Sequence, residues 1–355
     1  MNRNYGIDTL RLLAMFFVVC LHVLGQGGIL AGSEVLSANY TLAWLLETMS
    51  FCAVNCFGLI SGYVGVKNKQ KFANLVILIA QVCFYTVLAT VLFRIFSGKP
   101  VDFLGMIKDM IPFGKYWYFD AYAIVFLLMP VLNFVLRRLP PVLLRLMVAA
   151  AVAVCYFLPT SGYNFVWLSA LYMIGGAAAL LDQQGDKKPG KTNWYLLLYV
   201  LAVAVAWLVK IGVELSARGS GAEIPNGDYL IKNTSPMILL AALALLRYFS
   251  GRSFPEGVCK CIKWLSPMAF GVYLAHTEPH VWDLLKERFA AFTTLHPALL
   301  VLAVLGTAFA IWAGSLALDF VRLWIFKTLH LPDICKATEE KIRGWLHSLR
   351  KKKVG

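Results

Sequence analysis

Apolar residues gather in about ten long stretches, separated by short polar or charged segments. The stretches cover residues 7–27, 41–65, 72–97, 117–136, 142–158, 163–181, 194–213, 229–249, 265–285 and 298–326. An α-helix rises about 1.5 Å per residue, so crossing the hydrocarbon core of a bilayer takes about 20 mainly apolar residues. The pattern predicts an all-α polytopic membrane protein, with about ten transmembrane helices in one bundle; the fifth span is short. Residues 7–27 follow Arg3 in the manner of a signal peptide. They lack a small-residue cleavage site and further spans follow, so the segment reads as a retained helix.

Composition agrees with this reading. The 355 residues are 59% hydrophobic and 15% charged, with a mean hydropathy of +0.69, which is the range of polytopic membrane proteins. The net charge of +14 raises nucleic-acid binding as a possibility, and the placement of the charge argues against it. With the N-terminus inside, the cytoplasmic loops hold Lys67, Lys69 and Lys71; Arg137 and Arg138; Lys187, Lys188 and Lys191; and Arg247, Arg252, Lys260 and Lys263. The tail adds further basic residues from Lys327 to Lys353. Outside, 28–40 and 159–162 carry no Lys or Arg, and the third loop carries Lys99, Lys108 and Lys115. This positive-inside bias predicts that both termini are cytoplasmic and that the protein is a multi-pass protein of the cell membrane. All eight cysteines fall in predicted spans or on the cytoplasmic side, so no disulfide framework is implied.

No internal repeat or low-complexity segment interrupts the chain, and the one linker-like stretch, 182–193, is too short to separate independent domains. Residues 1–330 read as one membrane domain and 331–355 as a basic amphipathic cytoplasmic tail. In the tail, Ile342, Trp345, Leu346 and Leu349 form an apolar face, as in a helix lying on anionic lipid. Residues 99–115 have a similar pattern and predict a short interfacial helix outside. No segment is large enough to carry a separate soluble catalytic domain, so any chemistry belongs to the membrane bundle.

The first span carries two ionisable residues, Arg11 and His22. Eleven residues turn an α-helix through about 1,100°, within roughly 20° of three full turns, and rise about 16 Å. Both side chains therefore share one stripe, Arg11 near the membrane edge and His22 deeper. Ionisable groups within a span face a polar cavity far more often than lipid. An imidazole titrates near working pH and serves as a general base, and a guanidinium offers a planar fork for phosphate or carboxylate. The structural alternative is that Arg11 snorkels to headgroups while His22 bonds a neighbouring helix.

Further polar candidates lie in other spans. Glu47, Asn55 and Ser61 belong to the second, where Gly58 and Gly62 invite close helix packing. The fourth span opens with Trp117, Tyr118 and Asp120; the ninth carries Tyr273, His276, Glu278, His280 and Asp283 around Pro279. Two histidines four apart without further ligands do not make a metal site, and none is predicted.

Several strings together resemble the acyltransferase-3 family of integral-membrane O-acyltransferases, over nearly the whole chain. Arg11 and His22 match its Arg-then-ten-then-His spacing, 57–63 (FGLISGY) its Ser-Gly-aromatic string, Trp117 and Tyr118 its tryptophan-aromatic opening of the fourth span, and 270–276 (FGVYLAH) its late string. The chain looks in particular like members that acetylate bacterial surface polysaccharides. The resemblance implies acetyl-CoA as co-substrate, taken from the cytoplasm, no tightly bound cofactor, and a hydroxyl on a glycan or lipid-linked sugar as acceptor. His22 is then the candidate base and Arg11 the candidate residue for CoA phosphates or orientation, with direct transfer and a transient acyl-enzyme both open. Some family members have an arginine pair where this chain has Lys67, Lys69 and Lys71, which read as solvated positive-inside charges. Others add a C-terminal hydrolase-like domain; the basic tail here implies that the acceptor reaches the membrane domain itself. Alternatives are a different donor such as succinyl-CoA, a non-sugar acceptor, or a transporter or flippase using the same intramembrane polar residues.

Overall fold

A computed structural model describes residues 3–97, 107–108, 111–157, 161–184 and 192–354. Every regular element among them is helical, and the α-helices of seven residues or more are α1 (Tyr5–Leu24), α2 (Ala38–Ser50), α3 (Ala53–Gly65), α4 (Phe72–Ser97), α5 (Trp117–Leu136), α6 (Pro141–Val154), α7 (Phe165–Gln183), α8 (Thr192–Gly219), α9 (Pro236–Ser250), α10 (Glu256–Leu265), α11 (Ala269–His276), α12 (Pro279–Leu285), α13 (Pro297–Thr328) and α14 (Leu331–Val354). Seven helical stretches are long and apolar enough to cross a membrane: Tyr5–Leu24, Ala38–Gly65, Phe72–Phe96, Trp117–Leu136, Phe165–Gln183, Asn193–Gly219 and Pro297–Thr328.

The other three predicted stretches are shorter or broken, for local reasons. In 142–158, α6 begins on Pro141 and gives way to a 3-10 turn at Cys155–Phe157. The stretch expected from 229 starts its helix only at Pro236. Ser235 caps it, accepting from the Met237 N–H at 3.3 Å, and the proline takes a first-turn position where no N–H is needed. The stretch 265–285 is not one helix. Glu278 is extended ahead of Pro279 (φ −59°, ψ 134°), as a residue before proline prefers. Its carboxylate then caps α12, accepting from the N–H groups of His280 (2.8 Å) and Val281 (3.3 Å). The second span is likewise divided at Phe51 and Cys52, between α2 and α3, with the backbone still in the right-handed helical region. Parts of the expected interfacial helix over 99–115 and of the polar stretch 182–193 lie outside the described residues.

Helix α1 is the axis of the bundle. Asn4 caps it, accepting from Ile7 N–H at 3.1 Å, and Asp8 sits favourably in its first turn. Around it pack α2, α3, α9, α11 and α13. The tightest seam joins α3 to α7. A Cβ at Gly62 would stand 1.8 Å from the Tyr172 carbonyl oxygen, and one at Gly175 2.0 Å from that of Leu59. Small residues let transmembrane backbones approach this closely. Gly62→Val therefore forces the two helices apart and is expected to cost about 1–3 kcal/mol, read as earlier thermal loss of monodisperse protein in mild detergent; unchanged thermal stability would contradict this packing.

One end of the bundle gathers the N-terminus, the loops after α3 and α5, α10 and the tail helix α14, where most of the basic residues lie. At this end Arg137 donates to the Val66 carbonyl (2.7 Å), and Asp182 pairs with Arg247 and accepts from the Tyr63 hydroxyl at 2.6 Å. His330, with φ +50°, marks the turn from α13 into α14. At the opposite end the segment 25–33 is tied to 287–295; Phe289 N–H donates to the Gly27 carbonyl at 2.9 Å, for example.

Candidate functional site

The interior face of α1 is a single stripe: Arg11, Met15, Val18, His22 and Gly25, spaced alternately four and three residues apart, all line internal space. This is the spacing of neighbours along one helix face. Arg11 lies in a groove of about 560 Å³ opening at the basic end. His22 lies in a smaller cavity of about 240 Å³ nearer the other end. Phe57 of α3, Tyr118 of α5 and Phe270 of α11 line both spaces. These three aromatic side chains form the boundary that the groove and the cavity share.

Arg11 does not simply reach for headgroups. Its guanidinium donates to Asp8 Oδ1 at 2.7 Å and its side chain is 30% exposed. The other Asp8 oxygen accepts from Arg3, which also reaches the Ser266 hydroxyl at 2.7 Å. One carboxylate therefore holds two arginines in place. A neighbouring groove of about 480 Å³ shares Arg11, Val64 and Asn68 with the first and adds Arg3 and Lys67. Lys69 and Lys71 line the larger groove itself.

At the deeper level His22 and His276 are paired, with His22 Nδ1 2.8 Å from His276 Nε2. The other nitrogen of His276, Nδ1, contacts the Val272 carbonyl, and a carbonyl only accepts. With both rings neutral, that contact puts the His276 proton on Nδ1 and leaves Nε2 as an acceptor. His22 must then donate from Nδ1, which leaves its own Nε2 with a free lone pair. Trp282 of α12 holds the His22 ring edge-on, with centroids 4.7 Å apart. The break between α11 and α12 matters here. It lets His276 at the end of one helix and Trp282 on the next meet the same imidazole.

The remaining candidates divide. Glu47, Trp117, Tyr118 and Tyr273 line the His22 cavity, and Ser61 lines the basic groove. Glu47 is 7% exposed, and its Oε2 has no hydrogen-bond partner. Trp117 packs edge-on against Tyr118 and Tyr163.

Three candidates stand elsewhere. Asn55 is fully buried and its amide is spent on the fold, donating to the Asn233 carbonyl (2.8 Å) and accepting from the Trp167 indole (3.0 Å). Asp120 accepts from Gly114 N–H at 3.0 Å, and Glu278 caps α12. Asn55 and Glu278 sit in apolar segments because a buried indole or local backbone needs them, whereas Asp120 keeps a second, buried oxygen, Oδ1, without a partner among the described residues.

The cavity also contains Gln26, Tyr163 and Asn233, which sequence reasoning did not single out. Gln26 donates to the Trp282 carbonyl at 3.1 Å, fastening α12 to the end of α1. Gln26 is one turn beyond His22, so continuing the stripe would have found it; nothing local marks the other two. Among the described residues no group of three or more His, Cys, Asp or Glu comes together to hold a metal ion.

Residues 4–318 fit a family model described as an acyltransferase domain. No curated protein and no solved structure matches the chain.

Proposed function

The chain belongs to the acyltransferase-3 family, and from that premise we propose that it moves an acetyl group from cytoplasmic acetyl-CoA to a hydroxyl of a bacterial surface glycan or its lipid-linked precursor. The observation that carries this reading is the arrangement of two spaces on one helix stripe. The positive-inside bias assigns the basic end to the cytoplasm, so the Arg11 groove is the donor entrance. Arg11 and His22 differ in height by about 16 Å along α1. An extended pantetheine arm suits such a path, carrying the thioester past Phe57, Tyr118 and Phe270 while the nucleotide stays among cationic side chains. The acceptor then enters the His22 cavity from the other side.

In direct transfer, His22 Nε2 removes the acceptor hydroxyl proton as its oxygen attacks the thioester carbonyl. The tetrahedral intermediate collapses, its C–S bond breaks, and the proton on Nε2 passes to the departing sulfur to give CoA thiol. His276 acts as a positioning residue, accepting from His22 Nδ1 throughout and so keeping the lone pair of Nε2 turned to the acceptor. The hydroxyls of Tyr118 and Tyr273 are neutral donors for the developing oxyanion, while the Asn233 amide already donates to the Gly162 carbonyl at 3.3 Å. Glu47, with its unpartnered oxygen, is an acceptor for a second sugar hydroxyl.

His276→Leu removes the acceptor that orients His22. A misplaced catalytic group costs about 10²-fold, so kcat should fall by about that much with KM for acyl-CoA unchanged. His276→Gln, whose amide both donates and accepts, should recover most of the loss. A matched change in KM, or no rescue by glutamine, would contradict a positioning role.

The class of reaction is tested by CoA thiol release from purified protein in nanodiscs, given acetyl-CoA with and without extracted membrane glycolipid. Acceptor-dependent thiol release supports acyl transfer. Absence of release, with translocation of the glycolipid, would support a flippase instead.

A further inference from the structure

The tail helix α14 is docked, and its docking completes the basic groove. Residues 331–354 lie beyond the stretch of the chain that matches the acyltransferase family, which ends at 318. Glu339 accepts from Ala73 N–H at 2.9 Å, satisfying a free donor at the start of α4. Arg343 bonds the Glu339 carboxylate at 2.6 Å and donates to the Gln70 carbonyl at 3.0 Å. Both contacts fall on 70–73, the short connection beside Lys69 and Lys71. Lys336 is one turn before Glu339 on the same face of α14, and it lines the groove together with Lys69, Lys71 and Arg11. Ile334 and Trp345 lie on the opposite side of the helix, exposed, as expected of a helix resting on lipid.

No acidic residue lines this groove among the described residues, whereas four cationic ones do. The nearest acid to Lys336 is Asp333, at 3.9 Å and largely exposed, too loose to neutralise it. A groove so lined fits a polyphosphate anion.

Building on the donor site proposed above, we infer that α14 forms one wall of that site and that Lys336, with Lys69 and Lys71, holds the phosphates of the nucleotide end of the acyl donor. Arg11, deeper and held by Asp8, then stands over the start of the pantetheine arm. The Glu339 and Arg343 contacts set the position of Lys336, so they act on donor affinity without touching the donor.

The test is equilibrium binding of CoA, and of pantetheine as a probe without nucleotide phosphates, to full-length protein in nanodiscs. Lys336→Gln should raise the Kd for CoA about three- to five-fold, the range of one exposed charge pair, and leave pantetheine binding unchanged. The pair Glu339→Ala with Arg343→Ala should raise it similarly although Lys336 is intact. Lys260→Gln removes the same charge from the exposed face of α10, where Lys260 pairs with Glu256, and should change neither. If the native protein binds CoA and the Lys336 and docking variants bind it equally well, the role of α14 is overturned while the donor groove stands. An equal loss of CoA and pantetheine affinity would also overturn it, as a general disturbance of the groove. If the native protein does not bind CoA, the donor reading itself fails and this inference with it.

Discussion

His22→Ala is expected to lower acyl-transfer turnover by about 10²–10⁴-fold, the usual contribution of a positioned general base. Few other groups can take over the proton. The cavity offers tyrosine hydroxyls, an asparagine and a glutamine, which are poor bases, and Glu47, which lies on another helix. His276 does not line the cavity, and its Nε2 is set back behind the His22 ring by the contact of its Nδ1 with the Val272 carbonyl. The variant should still fold and bind donor: His22 is packed against His276 and Trp282, and the Arg11 groove is formed by other residues. Turnover in membranes at matched expression, with CoA binding as the control, separates loss of chemistry from loss of the site. Turnover within a few-fold of native would remove His22 from the reaction.

The second large effect is on stability. Asp319→Ala is expected to destabilise the bundle by about 3–5 kcal/mol, since it strands a buried guanidinium. Asp319 is fully buried on α13 and Arg322, one turn on, is 4% exposed. The carboxylate accepts from Arg322 Nε at 3.0 Å, from the Tyr85 hydroxyl at 2.8 Å and from the Gln81 amide at 3.2 Å. The last two come from α4, so this one side chain ties α13 to α4. The double variant Asp319→Leu with Arg322→Met removes both charges and should retain far more folded protein than the single one. Thermal unfolding in mild detergent reads both. Equal loss in the single and double variants would mean that the α4 hydrogen bonds dominate and the stranded charge does not.

How much of this was legible in the sequence depends on how local each signal is. The stripe from Arg11 to His22 was legible because it follows from helical period alone, and the apolar lengths of α1, α4, α5 and α13 followed from the same rule. Trp117, Tyr118 and Tyr273 were found through strings that resemble the family. The partnership of His22 with His276 was not legible, because it joins residues 254 positions apart through a helix break. Pro279 is visible in the sequence, and the cap by Glu278 that makes it a fresh helix start depends on geometry. Asn55, Asp120 and Glu278 drew attention as polar residues in apolar surroundings. Backbone and indole donors place the same demand on a sequence as a substrate does, and only the contacts tell the two apart. Lys69 and Lys71 read as solvated loop charges, and only the docking of α14 reveals the wall they share with Lys336.

The central claim, that an acyl group passes from the basic groove to an acceptor at His22, is tested most directly in sealed proteoliposomes. Radiolabelled acetyl-CoA is supplied only on the side exposing the basic end, with acceptor glycolipid in the bilayer, and label in the glycolipid is followed alongside free CoA thiol. The account predicts label and thiol appearing in equal amounts with the native chain, and neither above background with His22→Ala. Undiminished labelling in the variant, or labelling only when acetyl-CoA is supplied on the opposite side, would contradict it.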